Sequence, residues 1–208
     1  MFEVKSVADW AVWKNSAHLA HPKDGEELWL ILRARTAAGY GSLEDQLIRL
    51  MVWVGATFYH GPKHTGIRDP LGMLRTREGW CDQQAKLFCF LTYHLFGVPG
   101  RTVSMKNFPS ADGSKPAGHT VAEVFYNEQW HMFDVHKDHC TVYKDNNGVI
   151  LSIAALRACP EVVERQPHWW GLASGHGKVG FYRSPIEPVA TPLDYEKDCA
   201  WPWSVPPP

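Results

Sequence analysis

Three residue types that together can perform nucleophilic catalysis occur in this chain in the order cysteine, histidine, aspartate. Cys81 stands in the run Gly-Trp-Cys-Asp-Gln-Gln-Ala, His119 in Gly-His-Thr, and Asp134 ends Trp-His-Met-Phe-Asp. A thiolate is a nucleophile, an imidazole can take up and return its proton, and a carboxylate can orient the imidazole. The order therefore indicates a cysteine-centred site for acyl transfer or hydrolysis.

The spacing of apolar residues after the cysteine predicts the helix that holds it. One stripe at helical spacing consists of Cys81, Ala85, Phe88, Leu91 and Leu95. Gly97-Val98-Pro99-Gly100 then ends the pattern. The cysteine is therefore expected in the first turn of a buried helix, where unpaired backbone amides and the positive end of the helix dipole favour a thiolate and can hold an oxyanion.

Two predicted strands, residues 120–126 and 129–135, position the histidine and the aspartate. Asn127-Glu128 between them fits a two-residue hairpin turn. The opposed pairs that this turn sets include His119 with His136 and Val121 with Asp134. His119 and Asp134 are then diagonal neighbours on one face of the sheet. A shift of the register by one residue would break this arrangement, so the geometry is testable.

Further elements are predicted on either side of these. They are a helix over 25–36, a helix over 43–58 capped by Ser42 and stopped by Gly61-Pro62, a strand over 101–105, an exposed loop over 109–118, a turn over 145–148 and a short helix over 152–157. Residues 201–208 are rich in proline, which lacks a backbone donor. We therefore expect a docked or frayed tail there.

Length and charge limit the class of protein. A chain of 208 residues can bury a substantial core and is near the upper end for one domain, so we expect a single domain over residues 1–208. The formal net charge of −1 leaves no field to attract nucleic acid or an anionic membrane. No run approaches the roughly 20 apolar residues of a membrane span, and the first residues lack the order of a secretion signal. A cytoplasmic protein without nucleic-acid or membrane partners is expected.

Tryptophans, cysteines and histidines offer other hypotheses. The chain has ten tryptophans, which core packing explains most simply; Trp169-Trp170 in a glycine-rich run could instead form a platform for a sugar or peptide. Five widely spaced cysteines favour free thiols. A possible set of zinc ligands is His131, His136, His139 and Cys140. Because no second ligand pair has the spacing of a closed zinc site, we expect no metal.

Taken in order, these motifs resemble the transglutaminase-like superfamily over about residues 67–136. The shared pattern consists of Gly79-Trp80-Cys81, Ala85, Gly97-Val98-Pro99-Gly100-Arg101, His119 followed by Glu123, and Trp130 followed by Asp134. The chain looks like a bacterial-type member that consists of a single core. The resemblance implies an α+β, papain-like fold, in which the helix that bears the nucleophile packs on an antiparallel β-sheet.

By this resemblance, Cys81 is the nucleophile, His119 the base and then the acid, and Asp134 the partner that orients the imidazole. No cofactor is required. The animal cross-linking members place a tryptophan directly after the cysteine, whereas Asp82 follows here. The resemblance therefore implies hydrolysis or transfer at an amide or ester bond through a thioester, rather than transamidation of protein glutamine. The substrate would be of peptide, amide or glycan type.

Several alternatives stay open on the sequence alone. His119 and a tyrosine could cleave a polysaccharide by acid/base chemistry, with Cys81 dispensable. The scaffold could also serve as a non-catalytic binding module. Glu123 shares the face of His119, where it could orient the imidazole or pair with Arg101; we expect the ion pair, because buried charges need partners. Candidates for a second oxyanion donor are Tyr59, His60, Trp80 and Gln83.

Overall fold

The computed structural model describes residues 22–58, 60, 72–73, 76–109, 116–136, 140–158 and 189–192. The elements in chain order are α1 (Pro22–Ala38), α2 (Leu43–Thr57), α3 (Cys81–Phe96), β1 (Gly100–Pro109), β2 (Pro116–Tyr126), β3 (Gln129–Phe133), α4 (Ile153–Ala158) and β4 (Val189–Pro192). Some features named above lie outside the described residues: Gly61-Pro62, His139, Trp169-Trp170 and the tail over 201–208.

Local capping signals fix the helix ends that frame the site. The Ser42 hydroxyl accepts a hydrogen bond from the Asp45 amide at 3.2 Å, and so caps α2 as predicted. Gly97 caps the end of helix α3: it has a left-handed φ of 67° and donates its N–H to the Tyr93 carbonyl at 2.8 Å. None of the helices in the described ranges is long and apolar enough to cross a membrane.

The hairpin turn sets the register of the sheet. Asn127 and Glu128 have φ values of 48° and 64°, as a type I′ turn requires. The β2–β3 ladder runs from the Tyr126–Gln129 pair to the Ala122–Phe133 pair, which confirms the predicted register over these residues. The four strands have the order β3-β2-β1-β4 and all neighbours are antiparallel.

The two faces of the sheet bury two groups of apolar side chains. On one face, Phe133 packs against Phe88 of α3 with ring centroids 5.3 Å apart. The second group lies with α4 and consists of Val103, Met105, Val121, Met132, Tyr143, Ile153 and Leu156. Because alternate residues of a strand point to opposite faces, one hairpin serves both groups. The fold class is therefore α+β, with the helix that begins at Cys81 packed on an antiparallel sheet, as predicted.

Three strand boundaries differ from the prediction by two residues or more. Strand β1 extends to Pro109 instead of ending at Met105. Strand β2 begins at Pro116, inside the segment predicted as a loop over 109–118. Strand β3 ends at Phe133, and Asp134 forms a bridge with Thr141 instead of pairing with Val121. The backbone N–H and C=O of Asp134 point to the outer edge of β3, along which the chain returns. The amide and carbonyl of Asp134 each bond to Thr141 at 3.0 Å.

Candidate active site

Cys81 is the first residue of α3; the residue is partly exposed and forms no disulfide. Trp80 before it has extended backbone angles of −78° and 173°, so the chain turns into the helix at this point. The Gln83 side chain accepts a hydrogen bond from the Trp80 N–H at 2.8 Å. The Trp80 carbonyl accepts a hydrogen bond from the backbone N–H of Gln84, also at 2.8 Å. These bonds hold the backbone that presents the thiol.

His119 and Asp134 form a buried pair, as the hairpin register predicts. Nε2 of His119 lies 2.7 Å from Oδ2 of Asp134, and their side chains are 7 % and 0 % exposed. The other carboxylate oxygen of Asp134 accepts the backbone N–H of His136 at 3.1 Å. Together with the backbone bridge to Thr141, this bond fixes the direction in which the carboxylate faces the imidazole.

The charge of His119 depends on both of the other residues. Burial alone would lower its pKa, because it disfavours the imidazolium. The charge and hydrogen bond of Asp134, followed by a hydrogen bond and charge interaction with Cys81, outweigh burial and raise the pKa from 6.5 to about 10. The structure therefore brings together all three residues that the sequence singled out, around an imidazole that favours its protonated form.

Comparison with known proteins assigns the family. A family model for the transglutaminase-like superfamily matches residues 32–135, half of the chain. The chain belongs to this superfamily. The match contains Cys81, His119 and Asp134 and extends upstream of the predicted motifs to include α2. It therefore confirms the resemblance seen in the sequence.

Solved structures that are similar to this transglutaminase-like chain include the following two. One is a TGase, at 18 % identity and a TM-score of 0.42, covering 62 % of this chain and 38 % of its own. The other is a candidate cysteine protease from Cytophaga hutchinsonii, at 17 % identity and a TM-score of 0.42, covering 51 % of this chain and 36 % of its own. The chain thus spans less than two fifths of either protein. No curated protein matched it.

A row of aromatic rings leads away from His119 in this transglutaminase-like core. The ring of His136 meets His119 edge-on at 5.9 Å between centroids, and His60 meets His136 at 4.9 Å. His60 in turn stacks on Trp80 at 4.8 Å with 20° between the planes. In the sequence, His60 and Trp80 were only candidate oxyanion donors. The contact between His60 and His136 connects both rings to His119.

Tyr143 interacts with the charge of Asp134 and was not singled out in the sequence. It is 2 % exposed. Burial first, and then the charge of Asp134, raise the pKa of its phenol above the ordinary value. The phenol therefore stays neutral beside the carboxylate. The predicted turn at Asp145, two residues after Tyr143, was the only local signal that the chain reverses direction here.

Glu123 has a structural position instead of competing with Asp134. Its Oε2 lies 2.6 Å from Nη2 of Arg101, whose guanidinium also sits over the Trp130 ring at 4.0 Å. Its Oε1 accepts the N–H of Ile153 at the start of α4 at 2.7 Å. Both oxygens are thus engaged away from the imidazole, and the expected ion pair is present.

Of the residues considered as zinc ligands, His131 and Cys140 form other hydrogen bonds. The two ring nitrogens of His131 lie 2.6 Å from the Ile150 carbonyl and 3.0 Å from the Tyr126 carbonyl. Cys140 is buried and donates its backbone N–H to the carbonyl of His136 at 2.8 Å. Across the described ranges, no group of three or more histidine, cysteine, aspartate or glutamate side chains is arranged to hold a metal ion.

Proposed function

We propose that this transglutaminase-like chain is a cysteine-dependent hydrolase or acyltransferase that cleaves an amide or ester bond through a thioester on Cys81. One observation carries the proposal. The buried imidazole of His119 is bound to Asp134 through Nε2 at 2.7 Å and also forms a hydrogen bond with Cys81. Since Nε2 is engaged, Nδ1 is the nitrogen assigned to the thiol. This is the arrangement that activates a thiol nucleophile.

The proposed reaction uses one proton that moves through His119. The imidazole takes the proton of the Cys81 thiol, and the sulfur attacks the substrate carbonyl carbon. The C–N or C–O bond then breaks as His119 gives the proton to the leaving amine or alcohol, and a thioester remains on sulfur. Water then loses a proton to His119 as it attacks the thioester, and the released thiol regains that proton. An amine in place of water would give transfer.

The start of α3 supports stabilisation of the oxyanion. The first amides of a helix have no intrahelical acceptor, and they lie at the positive end of its dipole. The Trp80 N–H is already bound by Gln83. The N–H of Cys81 is therefore the proposed backbone donor to the oxyanion. The scheme requires no cofactor.

Asp82 stands where the animal cross-linking members have a tryptophan, which favours hydrolysis of an amide or ester over transamidation of protein glutamine. The proposed substrate is of peptide, amide or glycan type. The charge of His119 supports the same chemistry, because an imidazolium beside a thiol favours the reactive thiolate. Elimination from a polysaccharide by His119 and a tyrosine is less well supported. Tyr143, the tyrosine beside Asp134, is buried and its pKa is raised, so it is poorly placed to take a proton from a substrate.

The experiment that tests the proposal is acylation by p-nitrophenyl acetate. The native protein is expected to release nitrophenol with turnover and to carry an acetyl group on Cys81, detected by intact mass and peptide mass spectrometry. Cys81→Ala should lack both signals, and His119→Ala should slow both. Cys89→Ala is the matched control, because Cys89 is fully buried in the same helix. Turnover that persists in Cys81→Ala would contradict the proposal and favour chemistry that uses His119 alone.

A further inference from the structure

Gln84 occupies an unusual position in the helix of the proposed nucleophile. It lies in the first turn of α3, three residues after Cys81, and is 0 % exposed. A buried polar side chain needs hydrogen-bond partners to offset its lost hydration. The side-chain nitrogen of Gln84 has two: the carbonyls of Phe58 at 2.7 Å and of Gly79 at 2.8 Å.

These two acceptors fix the orientation of the amide. Carbonyl oxygens can only accept, so the NH₂ group must face them and the oxygen must face away. The opposite orientation would place three oxygens together. Oε1 of Gln84 is correspondingly buried without a hydrogen-bond partner among the described residues. The two hydrogen bonds that the side-chain NH₂ donates therefore hold the amide in place, although this orientation leaves its buried oxygen without a partner.

The bonds join two distant parts of the chain at the turn that presents Cys81. Phe58 caps the end of α2, whereas Gly79 lies two residues before the cysteine. The backbone N–H of Gln84 also bonds to the Trp80 carbonyl at 2.8 Å. One residue therefore holds two successive carbonyls, those of Gly79 and Trp80. With the Trp80 N–H bound by Gln83, the backbone before the thiol has little freedom to rotate.

We propose that Gln84 is a positioning residue for the thiol: its side-chain amide fixes the backbone of Gly79-Trp80-Cys81 so that the sulfur and the Cys81 N–H meet His119 and the substrate carbonyl. This inference rests on the proposed function. Misplacement of a reacting group by about 1 Å can reduce a rate by about 100-fold, so a modest rotation at this turn has a large effect.

The test separates positioning from stability. Gln84→Met keeps the length of the side chain and removes the two donated bonds. Thr92→Val is the matched control, because Thr92 is also fully buried in α3 and donates one hydrogen bond, to the Cys89 carbonyl at 2.8 Å, away from the site. For each protein, the rate of Cys81 alkylation by iodoacetamide is measured against pH by peptide mass spectrometry, and unfolding by urea gives the stability.

Both variants are expected to lose stability, but only Gln84→Met should change the pH profile. At about pH 6 its Cys81 should react about 10- to 100-fold more slowly than in the native protein, and the two rates should converge at about pH 9.5, where any exposed thiol is ionised. Thr92→Val should retain the native profile. A native profile in Gln84→Met would overturn the inference.

A second variant keeps the inference testable if Gln84→Met does not fold. Gln84→Glu keeps the shape of the side chain but turns a carboxylate toward two carbonyls, and is expected to give the same change in profile. If neither variant folds, the role is structural and the positioning claim is wrong. A native protein in which Cys81 alkylation does not depend on His119 would instead contradict the proposed function itself, whatever the Gln84 variants do.

Discussion

Substitution of Asp134 by asparagine should change how the stability of the protein depends on pH. In the native protein, Asp134 is the larger of the two influences that raise the pKa of the buried His119 to about 10, against 6.5 in an unfolded chain. The folded state therefore holds a proton that the unfolded state releases. The stabilisation is complete below pH 6.5 and is lost as the pH rises toward 10, with a slope of up to about 1.4 kcal/mol per pH unit.

In Asp134→Asn, burial of His119 is no longer offset by a carboxylate. The imidazole should then fold in its neutral form, and the slope above pH 6.5 should disappear. Between about pH 7 and 8.5 the native protein should lose about 1 to 2 kcal/mol of unfolding free energy that the variant does not lose. Tyr126 and Tyr143 do not interfere, because burial raises the pKa of each phenol above its ordinary value of 10.

Urea unfolding followed by circular dichroism at a series of pH values measures these slopes. Both proteins should also carry Cys81→Ala, so that titration of that thiol does not contribute. This substitution removes the smaller, Cys81 share of the rise in the His119 pKa and keeps the larger, Asp134 share that the comparison tests. Asp145→Asn in the same background is the control, because it removes a carboxylate whose oxygen accepts the backbone N–H groups of Asn147 and Val149. If Asp134→Asn kept the full native dependence of stability on pH, the reasoning would be refuted, because a group other than Asp134 would then raise the pKa of His119.

Three further substitutions test contacts around the site. Gly100→Ala should lower the free energy of unfolding in urea by about 1 to 3 kcal/mol, because the added Cβ would lie 2.7 Å from Cβ of Cys89. Gly118→Ala is the control. Its added Cβ would meet nothing nearer than 3.6 Å, so it should lower that free energy by less than about 0.5 kcal/mol. Equal costs would contradict the packing argument. Glu123→Gln should cost about 1 to 3 kcal/mol through its weakened bond to Arg101 and leave Cys81 alkylation unchanged; slowed alkylation would place Glu123 in the site.

Local signals in the sequence were sufficient for the elements that carry the proposed site. Ser42 and Gly97 are capping residues whose effect is confined to their own helix ends. Asn127-Glu128 could be recognised as a turn of two residues, and a turn of that length determines the pairing of both strands. The contact between His119 and Asp134 followed from that register. These predictions succeeded because each depends on residues close together in the chain.

Features that depend on distant residues could not be predicted in this way. The bridge between Asp134 and Thr141 requires the chain to return along β3, and β4 pairs with β1 through contacts such as Val103 with Ala190. Gln84 is a polar residue in a predicted helix, and nothing near it indicates a bond to Phe58, 26 residues earlier. Such pairings are decided by tertiary packing, which overrides local preference.

The central claim is that His119 activates Cys81, and the most direct test is the pH dependence of Cys81 alkylation in the native protein and in His119→Ala. Peptide mass spectrometry after brief exposure to iodoacetamide gives the rate at this cysteine alone. The account predicts a fast native reaction at about pH 6, where an ordinary thiol is almost fully protonated, and a much slower one in His119→Ala. A slow native reaction that follows ordinary thiol titration, unchanged in His119→Ala, would contradict it.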